Sequence, residues 1–358
     1  MLSIITPIDN YNCDYKLGSK ILYKGTDYII NVNWANELKL NPTQIALPNY
    51  KLSIDLTDKK LLIIRAMGAG DMLFLSPAIA LIKEKYPTCQ IGLACIKEQH
   101  GIVELISGID EILDYPIERE SFDTYDHYFQ VADIVEGNSS NKDANIYQAY
   151  ISALTEDDVD VQLRPKIKDE YLYASEIDQK LIAIHPFAND PIRSLNLNII
   201  AGLAAGLTHR GYTVIIIGTE TEYKIAPHLH QYEWSKDRYP TFSDVCGLLR
   251  KSRFAICSDS LIVHLAQAVG TETICFYGPF PSKSRVSGYK NIHIFDSNPE
   301  CRCHMHQLGR CKRGLPEPVC LRFDIGSIIN IVEDNPTILD ELPLISAPEI
   351  EHYGVRDE

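Results

Sequence analysis

Leu61-Leu62-Ile63-Ile64-Arg65-Ala66-Met67-Gly68-Ala69-Gly70-Asp71-Met72-Leu73-Phe74-Leu75-Ser76-Pro77-Ala78 is the stretch that decides the fold. A short apolar run of β-forming residues predicts a buried parallel strand. Gly68-Ala69-Gly70 then predicts a tight turn, and the apolar spacing continuing through Ile79, Leu81 and Ile82 predicts a helix. In an open α/β sheet such a turn lies at the carboxyl edge of the strands, where ligands bind. Asp71 falls at the helix start, where a carboxylate can accept hydrogen bonds from free backbone N–H groups. Two glycines are too few for the dinucleotide fingerprint, so the turn does not predict an NAD site.

Working outward, strands and helices alternate from Lys59 to about Val161. Strands are expected at Leu61–Arg65, Gln90–Cys95, Glu111–Tyr115 and Tyr125–Val131, with helices between the first three and another at Ile146–Leu154. Alternation of this kind predicts a right-handed, doubly wound parallel sheet. A charged segment, Glu156–Tyr173, separates it from a second such unit. There strands are expected at Leu181–Ala188, Val214–Gly218, Phe254–Cys257 and Thr273–Phe276. Upstream, Ile21–Tyr23 and Tyr28–Trp34 flank Lys24-Gly25-Thr26-Asp27 and read as a hairpin covering a sheet edge, with a further short strand at Tyr50–Leu56. The expected organisation is a β extension at residues 1–57, a first Rossmann-like domain at 58–165, a second at 166–335 and an acidic tail at 336–358.

Length and charge bound the function. A chain of 358 residues can bury two cores, and 45% hydrophobic with 23% charged residues is ordinary for a globular protein. A formal net charge of −14 argues against a general binder of nucleic acid or anionic membrane. No apolar run approaches a membrane span, and the first twelve residues lack a secretory pattern, so the expected location is the cytoplasm. Ten cysteines in that setting are expected as thiols. Cys89, Cys95, Cys246, Cys257 and Cys275 lie in apolar patterns and read as packing residues.

Three motifs carry a resemblance. Lys60–Pro87, with its strand, its Met-Gly-Ala-Gly-Asp turn and its helix, resembles the start of the heptosyltransferases, which form glycosyltransferase family 9. His185-Pro186-Phe187-Ala188-Asn189-Asp190-Pro191-Ile192-Arg193 is similar to that family's Asn-Pro-Gly-Ala segment and following basic residue. The third motif runs from Phe242 through Ser258-Asp259-Ser260-Leu261-Ile262-Val263-His264 to Tyr277-Gly278-Pro279. It resembles the family's Asp-Ser/Thr-Gly-x-x-His segment and the strand beyond it.

The resemblance covers roughly Lys59 to Val332 and implies an α/β fold of the GT-B type, two doubly wound Rossmann-like domains facing a cleft. It implies an inverting sugar transferase that uses a nucleotide-diphosphate sugar such as ADP-heptose, with the first domain holding the acceptor. Asp71 takes the position of the catalytic base beside Gly70. Arg193 takes that of the residue gripping the diphosphate, and Glu222 that of the ribose ligand. Ser258, Asp259, Ser260, Leu261 and His264 complete the donor site, with backbone N–H groups at a helix start cradling phosphate. Ser194 and Leu195 replace the family's usual Arg and Trp, and Leu261 its usual Gly. Bland readings stand beside these roles: helix capping for Asp71 and Asp259, a helix-start Glu favoured by the macrodipole for Glu222, packing for His264. No catalytic cofactor is implied. Rival readings are a nucleotide-sugar epimerase and an inactive, metal-containing nucleotide-sugar binding protein. The acceptor is left open among lipopolysaccharide core, a protein and a modified nucleic acid. The N-terminal extension is reminiscent of bacterial enzymes that glycosylate autotransporter proteins, and an oligomer is compatible with the sequence.

Cys301, Cys303, Cys311 and Cys320 cluster in a Pro- and Gly-containing stretch with few apolar residues. They are expected to share one structural zinc or iron, His304 or His306 being able to replace a sulfur, with reduced thiols as the alternative. Protein purified without chelator should therefore carry close to one metal ion per chain by elemental analysis. Less than about one-tenth of an ion, with all four thiols titrating freely, would remove the site.

Overall fold

The computed structural model describes residues 2–7, 11–13, 20–37, 39–40, 43–44, 54–131, 134, 145–155, 163–172, 176–296 and 319–334. The chain forms two compact units. The first comprises Met1–Tyr173 with Thr241–Ser243 and Arg285–Gly288. The second comprises Ala174–Pro240, Asp244–Ser284 and Tyr289–Glu358.

In chain order the first unit contains β1 (Leu2–Ile5), β2 (Tyr11–Cys13), β3 (Lys20–Leu22), β4 (Tyr28–Asn31), α1 (Val32–Glu37) and β5 (Thr43–Gln44). There follow β6 (Lys60–Ile64), α2 (Ala69–Lys85), β7 (Gln90–Cys95), α3 (His100–Val103), β8 (Glu111–Asp114), β9 (Ile117–Glu118), α4 (Arg119–Phe122), β10 (His127–Gln130) and α5 (Ile146–Leu154). Its central sheet is parallel, in the order β10-β6-β7-β8. The chain thus leaves β6 in one direction and returns to its other side at β10, which makes the carboxyl end of β6 a topological switch point. Helix α2 is buried from Met72 to Ile79. Pro77 inside it has no N–H to give to the Leu73 carbonyl. The Ser76 hydroxyl donates to that carbonyl instead, at 2.6 Å, and accepts the Lys166 N–H at 2.8 Å.

The N-terminal extension departs from expectation. Lys20–Leu22 pairs with β2, and Tyr28–Asn31 pairs with β1 and β9, so the two strands do not form a hairpin together. From Val32 the chain is helical, which shortens the expected strand. The reason lies in Tyr28, Ile29 and Ile30, all buried. A run that is apolar at consecutive positions suits a strand inside a layer rather than at its rim. Leu2, Ile5, Tyr28 and Ile30 share one core with Leu62, Ile64, Ala94 and Leu113 of the central sheet. The extension therefore covers a face of that sheet, not its edge, and 1–57 is not a separate compact unit. Of the strand expected at 50–56, residues 50–53 lie outside the described residues, and Ile54–Leu56 is not a strand.

The second unit contains β11 (Asp178–His185), α6 (Leu197–His209), β12 (Thr213–Ile216), α7 (Glu220–Ile225), β13 (Glu233–Trp234) and α8 (Ser235–Arg238). After α9 (Phe242–Lys251), of which Phe242 and Ser243 count with the first unit, come β14 (Ser252–Ser258), α10 (Leu261–Val269), β15 (Glu272–Tyr277), α11 (Lys283–Val286, its last two residues counting with the first unit), β16 (Ile292–Asp296) and α12 (Ile325–Asp334). All its strands are parallel, in the order β13-β12-β11-β14-β15-β16, so β11 and β14 flank a second switch point. Ile182, Ile184, Phe254 and Ile256 pack beneath Leu203 and Leu207 of α6 and Ile328 of α12. The five cysteines read as packing residues are all buried. Burial pushes the Cys89 thiol up to about 11 and those of Cys95 and Cys246 up to about 12, so they stay protonated.

Tyr115 ties the extension to the sheet. Its buried hydroxyl accepts the Asn31 N–H at 2.6 Å, and its ring meets Trp34 edge-on at a centroid distance of 5.8 Å. Tyr115→Phe leaves that N–H without its acceptor and should destabilise the protein by about 1–3 kcal/mol. The measurement is the urea midpoint, and an unchanged midpoint would mean the bond contributes nothing.

Candidate functional site

The sequence-selected residues fall into one group in each unit. In the first, Gly68 precedes α2 as its N-cap, with a left-handed φ of 99° and no side-chain cap. Gly70 and Asp71 lie in the first turn of α2. The capping role considered for Asp71 is not realised. Its Oδ2 is held instead by Nη2 of Arg65, the buried residue just beyond β6. Carboxylate and guanidinium sit against the bare Cα of Gly68, where an added Cβ would collide with Asp71 Oδ2 and lie 3.2 Å from Arg65 Nη2. Among the described residues, Asp71 Oδ1 has no hydrogen-bond partner. The motif reading does not single out Arg65, the residue that holds Asp71, although a charge ending an apolar strand at the carboxyl edge of a sheet is a usable signal.

In the second unit the loop after β11 meets the loop after β14. Asp190 Oδ1 accepts the Ile192 N–H and shapes the turn Pro191–Arg193, while Ser194 Oγ accepts the Ala188 N–H at 2.9 Å. Leu195 is buried in the core. The turn directs Arg193 Nη1 to the main-chain oxygen of Asp259 at 3.1 Å and to its Oδ2 at 3.5 Å, with the guanidinium 5.7 Å from the Phe280 ring centre. Arg193 Nε and Asp259 Oδ1 are buried without hydrogen-bond partners among the described residues. Ser258 Oγ donates to the Phe187 carbonyl, locking the two loops together. Ser260 is the N-cap of α10 and donates to the Ser258 carbonyl rather than capping, so no side chain caps that helix; Leu261, half-buried, opens its first turn. Asp259 binds Arg193 and is not a cap.

Two further residues are held by local partners. His264 points into the core, its Nδ1 2.6 Å from the Tyr289 hydroxyl. Glu222 forms a capping box with Thr219, its Oε2 accepting the Thr219 N–H at 2.7 Å, which leaves Oε1 without a partner among the described residues. Of the cysteine cluster, Cys301, Cys303 and Cys311 lie outside the described residues, and Cys320 is half-buried beside Gly278. Among the described residues no group of three or more His, Cys, Asp or Glu side chains could hold a metal ion, and no helix is long and apolar enough to cross a membrane.

The model of glycosyltransferase family 9 (heptosyltransferase) matches residues 150–311. A family 9 glycosyl transferase structure from Veillonella parvula superposes with a TM-score of 0.58 at 13% identity, covering 79% of this chain and 99% of that one. The Escherichia coli ADP-heptose lipopolysaccharide heptosyltransferase II superposes with 0.53 at 14% identity, over 66% and 89%. The iron-containing, dodecameric heptosyltransferase TibC of enterotoxigenic E. coli, also solved with ADP-D-β-D-heptose, superposes with 0.56 at 14% identity, over 93% and 91%. No curated protein matches by sequence. These structures share with the chain the GT-B fold of two Rossmann-like units.

His185 gives the site a pH signature. Burial holds its pKa below the usual value, against the opposing pull of the Glu222 carboxylate and the Ile217 carbonyl that Nδ1 reaches at 2.9 Å. The folded protein thus keeps this ring neutral where the unfolded chain binds a proton. Stability is independent of this group above the unfolded value of about 6.5 and falls as pH drops from there toward the lower folded value. Urea titrations between pH 7.5 and 5.5 should show that loss, and His185→Gln should lessen it. An equal slope in the variant would remove His185 from the effect.

Proposed function

We propose that the chain, whose residues 150–311 match the model of glycosyltransferase family 9 (heptosyltransferase), is an inverting glycosyltransferase moving a heptose from a nucleotide-diphosphate sugar, such as ADP-heptose, to an acceptor hydroxyl. The observation that carries the reading is the pairing of Arg193 with the uncapped start of α10 across adjacent strands β11 and β14. A partly exposed guanidinium and a row of first-turn N–H groups form an anion site at a switch point. The leaving diphosphate develops negative charge as the glycosidic bond breaks, and preorganised donors stabilise it most in the transition state. Arg193 would exchange its contact with Asp259 for a bidentate grip on phosphate. Oε1 of Glu222 is available to a ribose hydroxyl. The donor assignment is supported by TibC having been solved with ADP-D-β-D-heptose.

Asp71 is the base in this reading. It removes the acceptor proton while the acceptor oxygen attacks the anomeric carbon from the side opposite the departing diphosphate, which inverts the configuration. A structural zinc or iron on the four cysteines belongs to the same proposal, supported by the iron content of TibC. Oligomerisation is likewise proposed, TibC being dodecameric, and so is a cytoplasmic location.

One pair of variants tests the assignment with ADP-heptose and candidate glycan, protein and nucleic-acid acceptors. Asp71→Asn should cut ADP release roughly a hundred- to ten-thousand-fold with donor affinity nearly unchanged. Arg193→Ala should weaken ADP binding in calorimetry by about 1.5–3 kcal/mol while sparing adenosine. Wild-type turnover in the first, or equal losses for both ligands in the second, would cancel the respective role. Affinity for donor without ADP release in the wild type would make the chain a binding protein.

A further inference from the structure

Resting on Asp71 as the base, we infer that Arg65 is its positioning residue: it immobilises Oδ2 and thereby makes Oδ1 the oxygen that takes the proton. The guanidinium is well placed for this. The Arg65 side chain is 7% exposed, and its backbone N–H is anchored to the Ala94 carbonyl at 3.0 Å, so the cation has little room to wander. An aspartate carboxyl turns easily about its last bond, where the torsional wells are broad. Fixing one oxygen removes that freedom and sets the plane of the group. Gly68 closes the other side, because its bare Cα meets Oδ2 where any Cβ would collide. The carboxylate keeps 26% of its exposure, and Oδ1 has no hydrogen-bond partner among the described residues.

The two oxygens therefore have different work. The acceptor hydroxyl gives its proton to Oδ1, and the electron pair of its O–H bond becomes the new bond from oxygen to the anomeric carbon. The bond from that carbon to the diphosphate oxygen breaks, and its electrons leave with the nucleotide. Asp71 then releases the proton to solvent, while Arg65 holds Oδ2 throughout. Base catalysis depends on placement at the level of an ångström, and a misplacement of that size can cost about a hundredfold.

The test uses the full chain, ADP-D-β-D-heptose with glycerol as acceptor, and ADP release as readout. Arg65→Met should lower kcat at least about tenfold with the donor KM within about twofold, because Asp71 remains but its carboxylate turns. Arg65→Lys should recover part of the rate, since an ammonium can hold Oδ2 without the planar fork. Added guanidinium ion should restore activity to Arg65→Ala, a response that a merely structural role does not give. The crystal structure of Arg65→Met should show the Asp71 carboxylate rotated. Wild-type kcat in Arg65→Met, or an unmoved carboxylate, would overturn the inference while leaving Asp71 as base. If Arg65→Met fails to fold, a folded Arg65→Lys no more active than Arg65→Ala, together with no guanidinium rescue, overturns it equally. Wild-type release by Asp71→Asn would instead remove the base, and the inference with it.

Discussion

The hydrogen-bonded adjacency of β11 and β14 is the constraint on which the second unit depends. These strands are far apart in sequence, yet His185 and Cys257 stand side by side in the ladder. Each strand ends in a loop, and the parallel register delivers both loops to one edge. Arg193 comes from the first and Asp259 from the second. Asp259 is 1% exposed, and burying a charged group is costly unless it is paired and hydrogen-bonded. Arg193 supplies the cation, and Ser258 closes the seam by bonding the Phe187 carbonyl. The site is thus a consequence of strand order: the direction of winding changes between β11 and β14, and the gap left there is where a ligand can reach the strand ends.

The first unit has the same plan with a different occupant. Its switch lies between β6 and β10, and α2 starts there as α10 does in the second. Both helices begin without a side-chain cap. At α2 the positive end of the helix has a resident anion, Asp71, whose charge is also matched by Arg65. At α10 the first turn contains no acidic residue, and the carboxylate just ahead of it, that of Asp259, is turned to Arg193. One helix start therefore carries a carboxylate suited to accepting a proton, and the other offers donors suited to a phosphate. The helix dipole favours negative charge in both places. Only the source of the charge differs.

Much of this was legible in the sequence. Leu61–Ile64 and Phe254–Cys257 are apolar at every position, which only a strand covered on both faces tolerates, and the turn residues after them mark the carboxyl edge. Arg193 and Asp259 were legible through motif resemblance, and the structure brings them within 3.5 Å. Partnerships were less so. That Glu222 spends one oxygen on Thr219, or that His264 meets Tyr289, depends on side-chain direction, which spacing does not encode. The pairing of β4 escapes the sequence because a Gly turn between two short apolar runs resembles a hairpin locally. Its partners, β1 and β9, are separated from it in sequence by amounts no local pattern reports.

The N-terminal layer follows from the same topology. A doubly wound sheet needs cover on both faces, and here α2, α3 and α5 are available to one of them. The crossover from β8 to β10 must serve the other, yet between Asp114 and His127 it holds only the two-residue β9 and the four-residue α4. Phe122 and Ile117 shield part of that face, and Leu62, Ile64, Ala94 and Leu113 would otherwise be left to water. Each of the leucine and isoleucine side chains among them is worth roughly 1.5–3 kcal/mol when buried. Tyr28, Ile30, Leu2 and Ile5 supply the missing cover, and β9 joins the extension's own sheet at β4. The extension and the crossover therefore make one layer from two distant parts of the chain. Leu2, Ile5, Tyr28 and Ile30 complete the core of the unit that carries Asp71, so their packing bears on the placement of that carboxylate.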